Sequence, residues 1–141
     1  MSNDPANHQL MVGLRARKIE GIAREIPPQQ VTGKDRGDLL VIGWGSTYGA
    51  IAAATEEMLA DGHSVAHAHL RYLNPFPANL GELLRRYRRI LVPENNSGHL
   101  RSMIRDRFLV DAQGLQKVEG RPFRIREIRE RMEALLGGAS R

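Results

Sequence analysis

Short apolar runs alternate with amphipathic stretches along most of this sequence, and this alternation limits the folds open to it more than any other feature. The apolar runs are bounded by glycine, proline or polar residues, a pattern typical of strands buried on both faces of a sheet. The continuous apolar run lies at residues 39–42, and the other strands are predicted at residues 65–70, 89–93 and 115–118. After each run, apolar residues recur at the spacing of one helix face. The order β-α-β-α-β-α-β-α predicts an α/β fold.

The predicted helices have clear apolar stripes. Their stripes are Ala50, Ile51, Ala54 and Met58; Leu80, Leu83, Leu84 and Tyr87; Leu100, Met103, Ile104 and Phe108; and Ile125, Ile128, Met132, Leu135 and Leu136. A further helix is predicted over residues 5–26, ending at Pro27-Pro28, because proline cannot continue a helix. We therefore expect three α/β/α layers around a mostly parallel sheet, and the domain organisation follows. Residues 1–37 are predicted to form an N-terminal helix and linker that pack on the domain, 38–137 the α/β domain, and 138–141 a frayed tail.

Composition narrows the function classes. The chain has 141 residues, 41% of them hydrophobic and 26% charged, which suits one globular domain. It contains no cysteine, so it cannot form disulfides, thiolate zinc sites or cysteine-held iron–sulfur clusters by itself. No apolar run is long enough to span a membrane, and the N-terminus lacks the features of a signal peptide. We therefore expect a cytoplasmic protein with no membrane partner.

The net charge of +5 raises the question of an acidic or nucleic-acid partner. The arginines cluster near a predicted helix end and along the last predicted helix, where glutamates lie three or four residues away from them, as on solvated helix faces. Aromatic residues make up only 5% of the chain, so stacking platforms for bases are scarce. No nucleic-acid partner is expected.

Two loops follow predicted strands and open predicted helices. The first, with glycines at 43, 45 and 49, lacks the lysine of a phosphate-binding P-loop and the spacing of a dinucleotide motif. A tight structural turn is the favoured explanation, with an anion or cofactor contact and a subunit contact as alternatives. Because the carboxyl ends of parallel strands share one edge, we expect the second loop to lie beside it. The candidate interface or anion-binding residues are Trp44, Gly45, Ser46, Thr47, Tyr48, Gly49, Glu94, Asn95, Asn96, Ser97, Gly98 and His99.

Glu94 and the histidines at 63, 67 and 69 are each candidates for a chemical role, Glu94 as a general base and the histidines as metal ligands. Glu94 is predicted to be a structural or interface residue rather than a general base, because no reacting group is evident beside it. His67 and His69 share one face of a predicted strand, with His63 in the turn before it. No third ligand follows at a known metal spacing. No catalytic, cofactor-binding or metal-binding residue is therefore assigned to this chain.

Five segments in register resemble the C-terminal region of the α subunits of 2-oxoacid:ferredoxin oxidoreductases, especially the 2-oxoglutarate branch. They are DPANHQLMVGLRARKIEGIA, LLVIGWGSTYGAI, HLRYLNPFP, ILVPENNSGHL and VEGRPF, and the resemblance extends over nearly the whole chain, from about Asp4 to Leu136. One departure is His99, where the family often has glutamine. The resemblance implies a domain similar to the transketolase C-terminal domain, with about five strands, one of them antiparallel. The missing strand is expected around residues 30–32 or after Leu109.

The resemblance also implies a role. Such enzymes decarboxylate a 2-oxoacid with thiamine diphosphate and Mg²⁺, pass electrons through an iron–sulfur cluster to ferredoxin, and form acyl-coenzyme A. This chain has no Gly-Asp-Gly segment followed by asparagine for the diphosphate and its metal, so these cofactors are expected in the full complex only. The chain is expected to be a non-catalytic assembly domain of a longer α subunit, inactive alone. Its partners would be the remaining α domains and the β subunit, and ferredoxin and coenzyme A only through the complex. The alternative is a free-standing Rossmann-like module that binds coenzyme A or a nucleotide at the Gly43–Gly49 loop.

Overall fold

A computed structural model describes residues 25–95, 98–117 and 121–138, and within them five strands alternate with four helices. The strands are β1 (Thr32–Gly33), β2 (Gly37–Trp44), β3 (Val65–Leu70), β4 (Tyr87–Glu94) and β5 (Gln113–Gln116). The helices are α1 (Tyr48–Ala60), α2 (Leu80–Leu84), α3 (His99–Phe108) and α4 (Ile125–Gly138), and a single 3-10 turn, Gly45–Thr47, leads into α1. The predicted helix over residues 5–26 lies outside the described residues except for its last two positions.

The strands form one sheet in the order β1-β3-β2-β4-β5. Only β1 is antiparallel to its neighbour, with Thr32 opposite His67, and the other pairs are parallel. The α/β class and the five-stranded, mostly parallel sheet predicted from the sequence are therefore confirmed. The antiparallel strand lies at 32–33, beside the first of the two places where it was expected.

Helices cover both faces of the sheet. One core combines Leu40, Ile42 and other alternate strand residues with apolar side chains of α2 and α3. The other combines Leu39 and Val41 with α1 and α4. Successive side chains of a strand point to opposite faces, so the continuous apolar run of β2 serves both cores. This explains why β2 shows no polar alternation.

Some local predictions were wrong by a few residues. Tyr87 was assigned to the apolar stripe of a helix, but α2 ends at Leu84 and Tyr87 begins β4, where its hydroxyl donates to the carbonyl of Lys34 at 2.5 Å. The last strand begins at Gln113, two positions before the predicted start. Ile125, predicted on the apolar face of α4, is 40% exposed.

The domain ranges stay a prediction, but two details bear on them. β1 draws part of the predicted linker into the sheet, and α4 extends to Gly138, the first residue of the predicted tail. Residues 139–141 lie outside the described part of the chain. Within the described residues, no helix combines the length and the apolar character needed to cross a membrane.

Candidate functional site

The topology creates one crevice at the carboxyl edge of the sheet. The chain leaves β2 through α1 toward β3 on one side, whereas it leaves β4 through α3 toward β5 on the other side. The connections after β2 and β4 therefore run in opposite directions along the sheet, which makes the position between these two strands a topological switch point. Open α/β sheets commonly bind ligands at such a point. The two loops singled out in the sequence follow these two strands.

The first loop closes on itself as a tight turn. The Thr47 hydroxyl donates to the carbonyl of Trp44 at 2.9 Å and accepts from the Trp44 N–H at 3.2 Å. Gly45 has a φ of 64°, a left-handed conformation that favours glycine. At Gly43, a Cβ would lie 2.5 Å from Cδ1 of Ile51, so glycine lets α1 approach β2 closely. Glycine is thus favoured at 45 by the backbone conformation and at 43 by close packing.

Glu94 joins the two loops. It is 1% exposed, and its Oε1 accepts hydrogen bonds from Nε1 of Trp44 at 3.2 Å and from the Leu100 N–H at 2.7 Å. Its Oε2 accepts from the Arg101 N–H at 3.1 Å. A carboxylate at the first turn of a helix satisfies free N–H groups and complements the helix dipole. The proximity of the two loops is therefore confirmed, and Glu94 acts as a buried tie between β4, Trp44 and α3.

The crevice is small and uncharged. Its volume is about 190 Å³, and it is lined by Trp44, Gly45, Ser46, Thr47 and Asn95. Asn95 Oδ1 is buried and has no hydrogen-bond partner among the described residues. No lining side chain is cationic, and Glu94 already accepts hydrogen bonds from the Leu100 and Arg101 N–H groups in the first turn of α3. The crevice offers a polar contact but no counter-charge for a diphosphate.

The cofactors implied by the family resemblance do not fit the residues that the structure describes. The described residues contain no group of three or more His, Cys, Asp or Glu side chains that could hold a metal ion. The carboxylate nearest the crevice, Glu94, is committed to three hydrogen bonds. No thiamine diphosphate–magnesium pair is therefore placed here.

The remaining predicted site residues fall into three groups. Tyr48 and Gly49 begin α1, and Tyr48 lines a different pocket from the crevice. Gly98, with a φ of 83°, precedes α3, and His99 is its first residue. Asn96 and Ser97 lie outside the described residues. Whether this set of residues forms an interface or an anion site stays a prediction.

A second pocket, which the sequence interpretation missed as a unit, opens beside β3. It has a volume of about 570 Å³ and is lined by Pro27, Pro28, Gln29, Gln30, Thr32, Tyr48, His67, His69, Arg71 and Tyr72. The Tyr48 ring lies 5.5 Å from the His67 ring and 5.1 Å from the His69 ring, between centroids. The period of a strand indicated that the two histidines share a face, but nothing in the sequence placed Tyr48 over them.

The two imidazoles differ in exposure, and burial lowers the pKa of both. His67 is 4% exposed, and its burial, followed by the nearby His69, lowers its pKa to about 4. Burial and then the neighbouring Arg71 lower the pKa of His69. His67 Nε2 and His69 Nδ1 are buried and have no hydrogen-bond partner among the described residues.

The rim of this histidine pocket is fixed by a side-chain clamp. The Gln29 N–H donates to Oδ1 of Asn79 at 2.7 Å, and Nδ2 of Asn79 donates to the Gln29 carbonyl at 3.0 Å. Nε2 of Gln29 also donates to the carbonyl of His69 at 3.0 Å. His63, considered with the other histidines in the sequence, lines a different pocket with Asp38, Arg88 and Glu133.

Comparison with known proteins gives a consistent family relationship. No family model matches the chain. It is 50% identical over 141 residues to the 2-oxoglutarate oxidoreductase subunit KorA of Mycobacterium tuberculosis, covering 98% of this chain and 21% of that protein. It is 30% identical to the α subunit of 2-oxoacid:ferredoxin oxidoreductase 1 of Aeropyrum pernix, covering 92% of this chain and 22% of that protein. The chain thus spans about a fifth of the length of these relatives.

Solved structures show the same relationship. The 2-oxoglutarate:ferredoxin oxidoreductase from Magnetococcus marinus superposes with a TM-score of 0.82 and 27% identity, over 96% of this chain and 24% of that chain. A split-gene transketolase, 14% identical with a TM-score of 0.59 over 79% of this chain and 43% of that one, shares the fold. Over nearly its whole length, the chain therefore corresponds to one domain of an α subunit of the 2-oxoacid:ferredoxin oxidoreductase family.

Proposed function

We propose that this chain is a non-catalytic assembly domain of a cytoplasmic 2-oxoglutarate:ferredoxin oxidoreductase. In this proposal it supports a thiamine-diphosphate-dependent oxidative decarboxylation to acyl-coenzyme A that other domains and subunits perform. The remaining α-subunit domains and the β subunit are its direct partners. Mg²⁺, the iron–sulfur cluster, ferredoxin and coenzyme A belong to the full complex.

The state of Glu94 is the observation that carries this proposal. A catalytic carboxylate at the crevice would need to reach a reacting group. Glu94 instead has 1% exposure and gives both oxygens to hydrogen bonds within the domain. Glu94 is the acidic side chain best placed for chemistry at the switch point, yet its hydrogen bonds hold the two loops together. This favours a structural role for this edge of the sheet.

The alternative module, binding coenzyme A or a nucleotide at the Gly43–Gly49 loop, has less support. The Trp44 backbone and the Thr47 hydroxyl make their hydrogen bonds to each other within the turn. The crevice also has no cationic lining residue that could pair with phosphate groups. Calorimetry with coenzyme A and nucleotides tests this alternative directly, and saturable heat lost in a Ser46→Ala or Asn95→Ala variant would favour it over the assembly role.

The assembly role is tested with the 141-residue chain and its partners. The purified chain is assayed for 2-oxoglutarate-dependent reduction of a viologen dye, with thiamine diphosphate, Mg²⁺ and coenzyme A supplied. We expect no turnover by the chain alone. Adding it to an α subunit that lacks the corresponding domain, together with the β subunit, should restore both complex formation and dye reduction. Co-elution in size-exclusion chromatography measures assembly separately from turnover.

Two outcomes contradict the proposal. Turnover by the chain alone would show that it carries catalytic groups. Full activity of the domain-deleted complex, with no change on adding the chain, would show that the domain does not support assembly. A heat-unfolded sample of the chain, added at the same concentration, controls for non-specific effects of the added protein.

A further inference from the structure

The histidine pocket beside β3 combines features that the assembly role does not use. It lies on the α1 side of the sheet, apart from the crevice at the switch point, and its volume of about 570 Å³ falls within the range of small-molecule sites. Of the large apolar or aromatic side chains that the described residues expose, Tyr48 at 53% and Tyr72 at 46% both line it. The pocket thus presents ring surfaces at its mouth and polar groups in its wall.

The wall contains a polar side chain without a partner. His67 is 4% exposed, and its Nε2 makes no hydrogen bond within the described part of the chain. Buried polar atoms of this kind are few in folded proteins, and each one costs stability unless a ligand or water satisfies it. Val65, two residues earlier on the same strand face, shows that an apolar side chain is accepted on this face. A purely structural wall would not require imidazoles here.

The charges of the lining residues indicate that the ligand is an anion. Arg71 supplies a permanent positive charge, and none of the described residues that line the pocket is Asp or Glu. One guanidinium offers the paired donors that fit a single carboxylate, whereas a phosphate dianion needs a second positive charge, which this pocket has only when an imidazole is protonated. The rings of Tyr48 and Tyr72 can contact the carbon skeleton of such an acid. A metal ion does not fit, because the described residues provide no third ligand beside the two imidazoles.

We infer that the histidine pocket is a binding site for a small organic carboxylate, with Arg71 and His69 holding the carboxylate and Tyr48 and Tyr72 flanking its carbon skeleton. Because Gln29 is tied to Asn79 and to the His69 carbonyl, the rim is already in place before a ligand enters. This site goes beyond the proposed assembly role and does not depend on it.

Binding should be linked to protonation. Among the described residues, the titratable and charged groups that line the pocket with His69 are His67, Arg71, Tyr48 and Tyr72, and the 27–32 segment adds none. A bound carboxylate offsets the burial and the Arg71 charge that lower the pKa of His69. The pKa of His69 therefore rises on binding, and affinity increases as the pH falls from 8 toward about 5.5.

The test uses benzoate as the carboxylate probe and benzamide as its uncharged counterpart. In the ¹⁵N-labelled 141-residue chain, imidazole ¹H–¹⁵N spectra follow His67 and His69 during titration at pH 8 and at about pH 5.5. We expect saturable shifts of both imidazoles with benzoate, tighter at the lower pH, and at least tenfold weaker effects with benzamide. An Arg71→Gln variant should bind benzoate about tenfold more weakly, because it loses a charge-assisted hydrogen bond.

The matched control is Arg36→Gln, which removes an exposed arginine that does not line the pocket. This variant should bind benzoate like the unaltered chain. Three results would overturn the site: unchanged imidazole signals at tens of millimolar benzoate, equal binding of benzamide, or equal loss of binding in the two arginine variants. Equal binding of inorganic phosphate would overturn the carboxylate assignment. None of these results depends on assembly or dye reduction, so the two proposals can fail separately.

Discussion

Glu94 is a carboxylate that has almost no contact with solvent and accepts three hydrogen bonds, from Trp44, Leu100 and Arg101. In a Glu94→Gln variant the side chain keeps its size, but an amide N–H₂ must face one of these donors. We expect the free energy of unfolding to fall by about 2–4 kcal/mol, measured by urea titration. Glu56→Gln, at an exposed position of α1, should change it by less than about 0.5 kcal/mol. Equal effects of the two substitutions would contradict the role assigned to Glu94.

Substitution by alanine should change stability in opposite directions at Gly43, near the end of β2, and at Gly49, near the start of α1. A Cβ at Gly43 would lie 2.5 Å from Cδ1 of Ile51 and 2.9 Å from Oγ1 of Thr47, whereas a Cβ at Gly49 would meet nothing within 4 Å. Gly43→Ala should therefore destabilise the fold by about 1–3 kcal/mol through overpacking. Gly49→Ala should stabilise it by about 0.5–1 kcal/mol, because alanine favours the helix. Thermal midpoints that move in the same direction would argue against this packing.

His67 makes stability depend on pH. Its pKa is about 4 in the folded chain and 6.5 in the unfolded chain, so the unfolded state binds more protons between these values. The free energy of unfolding is therefore unaffected by protonation of His67 above pH 6.5. It decreases as the pH falls from 6.5 toward 4, by an amount of order 3 kcal/mol. Urea midpoints at pH 7 and about 4.5 should therefore differ more in the unaltered chain than in His67→Asn. An unchanged pH dependence in the variant would show that His67 titrates normally.

At the scale of elements, α4 is attached to α1 by charge as well as by apolar packing. The guanidinium of Arg129 contacts Glu57 at 2.9 Å and Glu133 at 2.9 Å, and it also pairs with Asp61. Hydrogen bonds to Glu57, Glu133 and Asp61 raise the pKa of Arg129, so it stays charged. The cluster links the C-terminal part of α1 to the middle of α4.

This cluster should be sensitive to salt. Arg129→Met is expected to lower the thermal midpoint at low ionic strength, and the difference should shrink at about 1 M NaCl, where charges are screened within a few ångströms. Arg126→Met is the control, because Arg126 pairs with Glu130 at 3.8 Å with both side chains exposed. A loss in Arg129→Met that salt does not reduce would indicate that packing of the side chain, rather than its charge, holds the helices together.

At the scale of the whole molecule, the two cores share the same strands. Leu40 and Ile42 belong to the core under α2 and α3, whereas Leu39 and Val41 belong to the core under α1 and α4. If either helical layer separates from the sheet, it therefore exposes one apolar face of β2. We expect the described domain to unfold as one cooperative unit.

Fluorescence of the single tryptophan can test whether the domain unfolds cooperatively. Trp44 lies at the carboxyl edge between the two loops and reports the tertiary contact with Glu94, whereas far-ultraviolet circular dichroism reports the helices. The urea midpoints from tryptophan fluorescence and from circular dichroism should coincide. A fluorescence transition at lower urea would show that the carboxyl edge opens before the sheet and its helices unfold.

The sequence by itself determined the class of fold and most of its elements. The strand at 39–42 could be located because buried parallel strands need continuous apolar side chains. The stripe of Ile51, Ala54 and Met58 identified the buried face of α1 for the same reason. The shared edge of the two loops also followed from the sequence, because parallel strands end on the same side.

Only the tertiary structure decided what the polar side chains do. Tyr87 fits a helical stripe by spacing, yet the chain must turn after Leu84 to bring β4 beside β2. Glu94 and Trp44, and likewise Tyr48 and His67, are far apart in sequence and meet through the strand order. Local pattern reflects which side chains must leave water, whereas the partner of each buried polar group depends on distant residues that packing brings into reach.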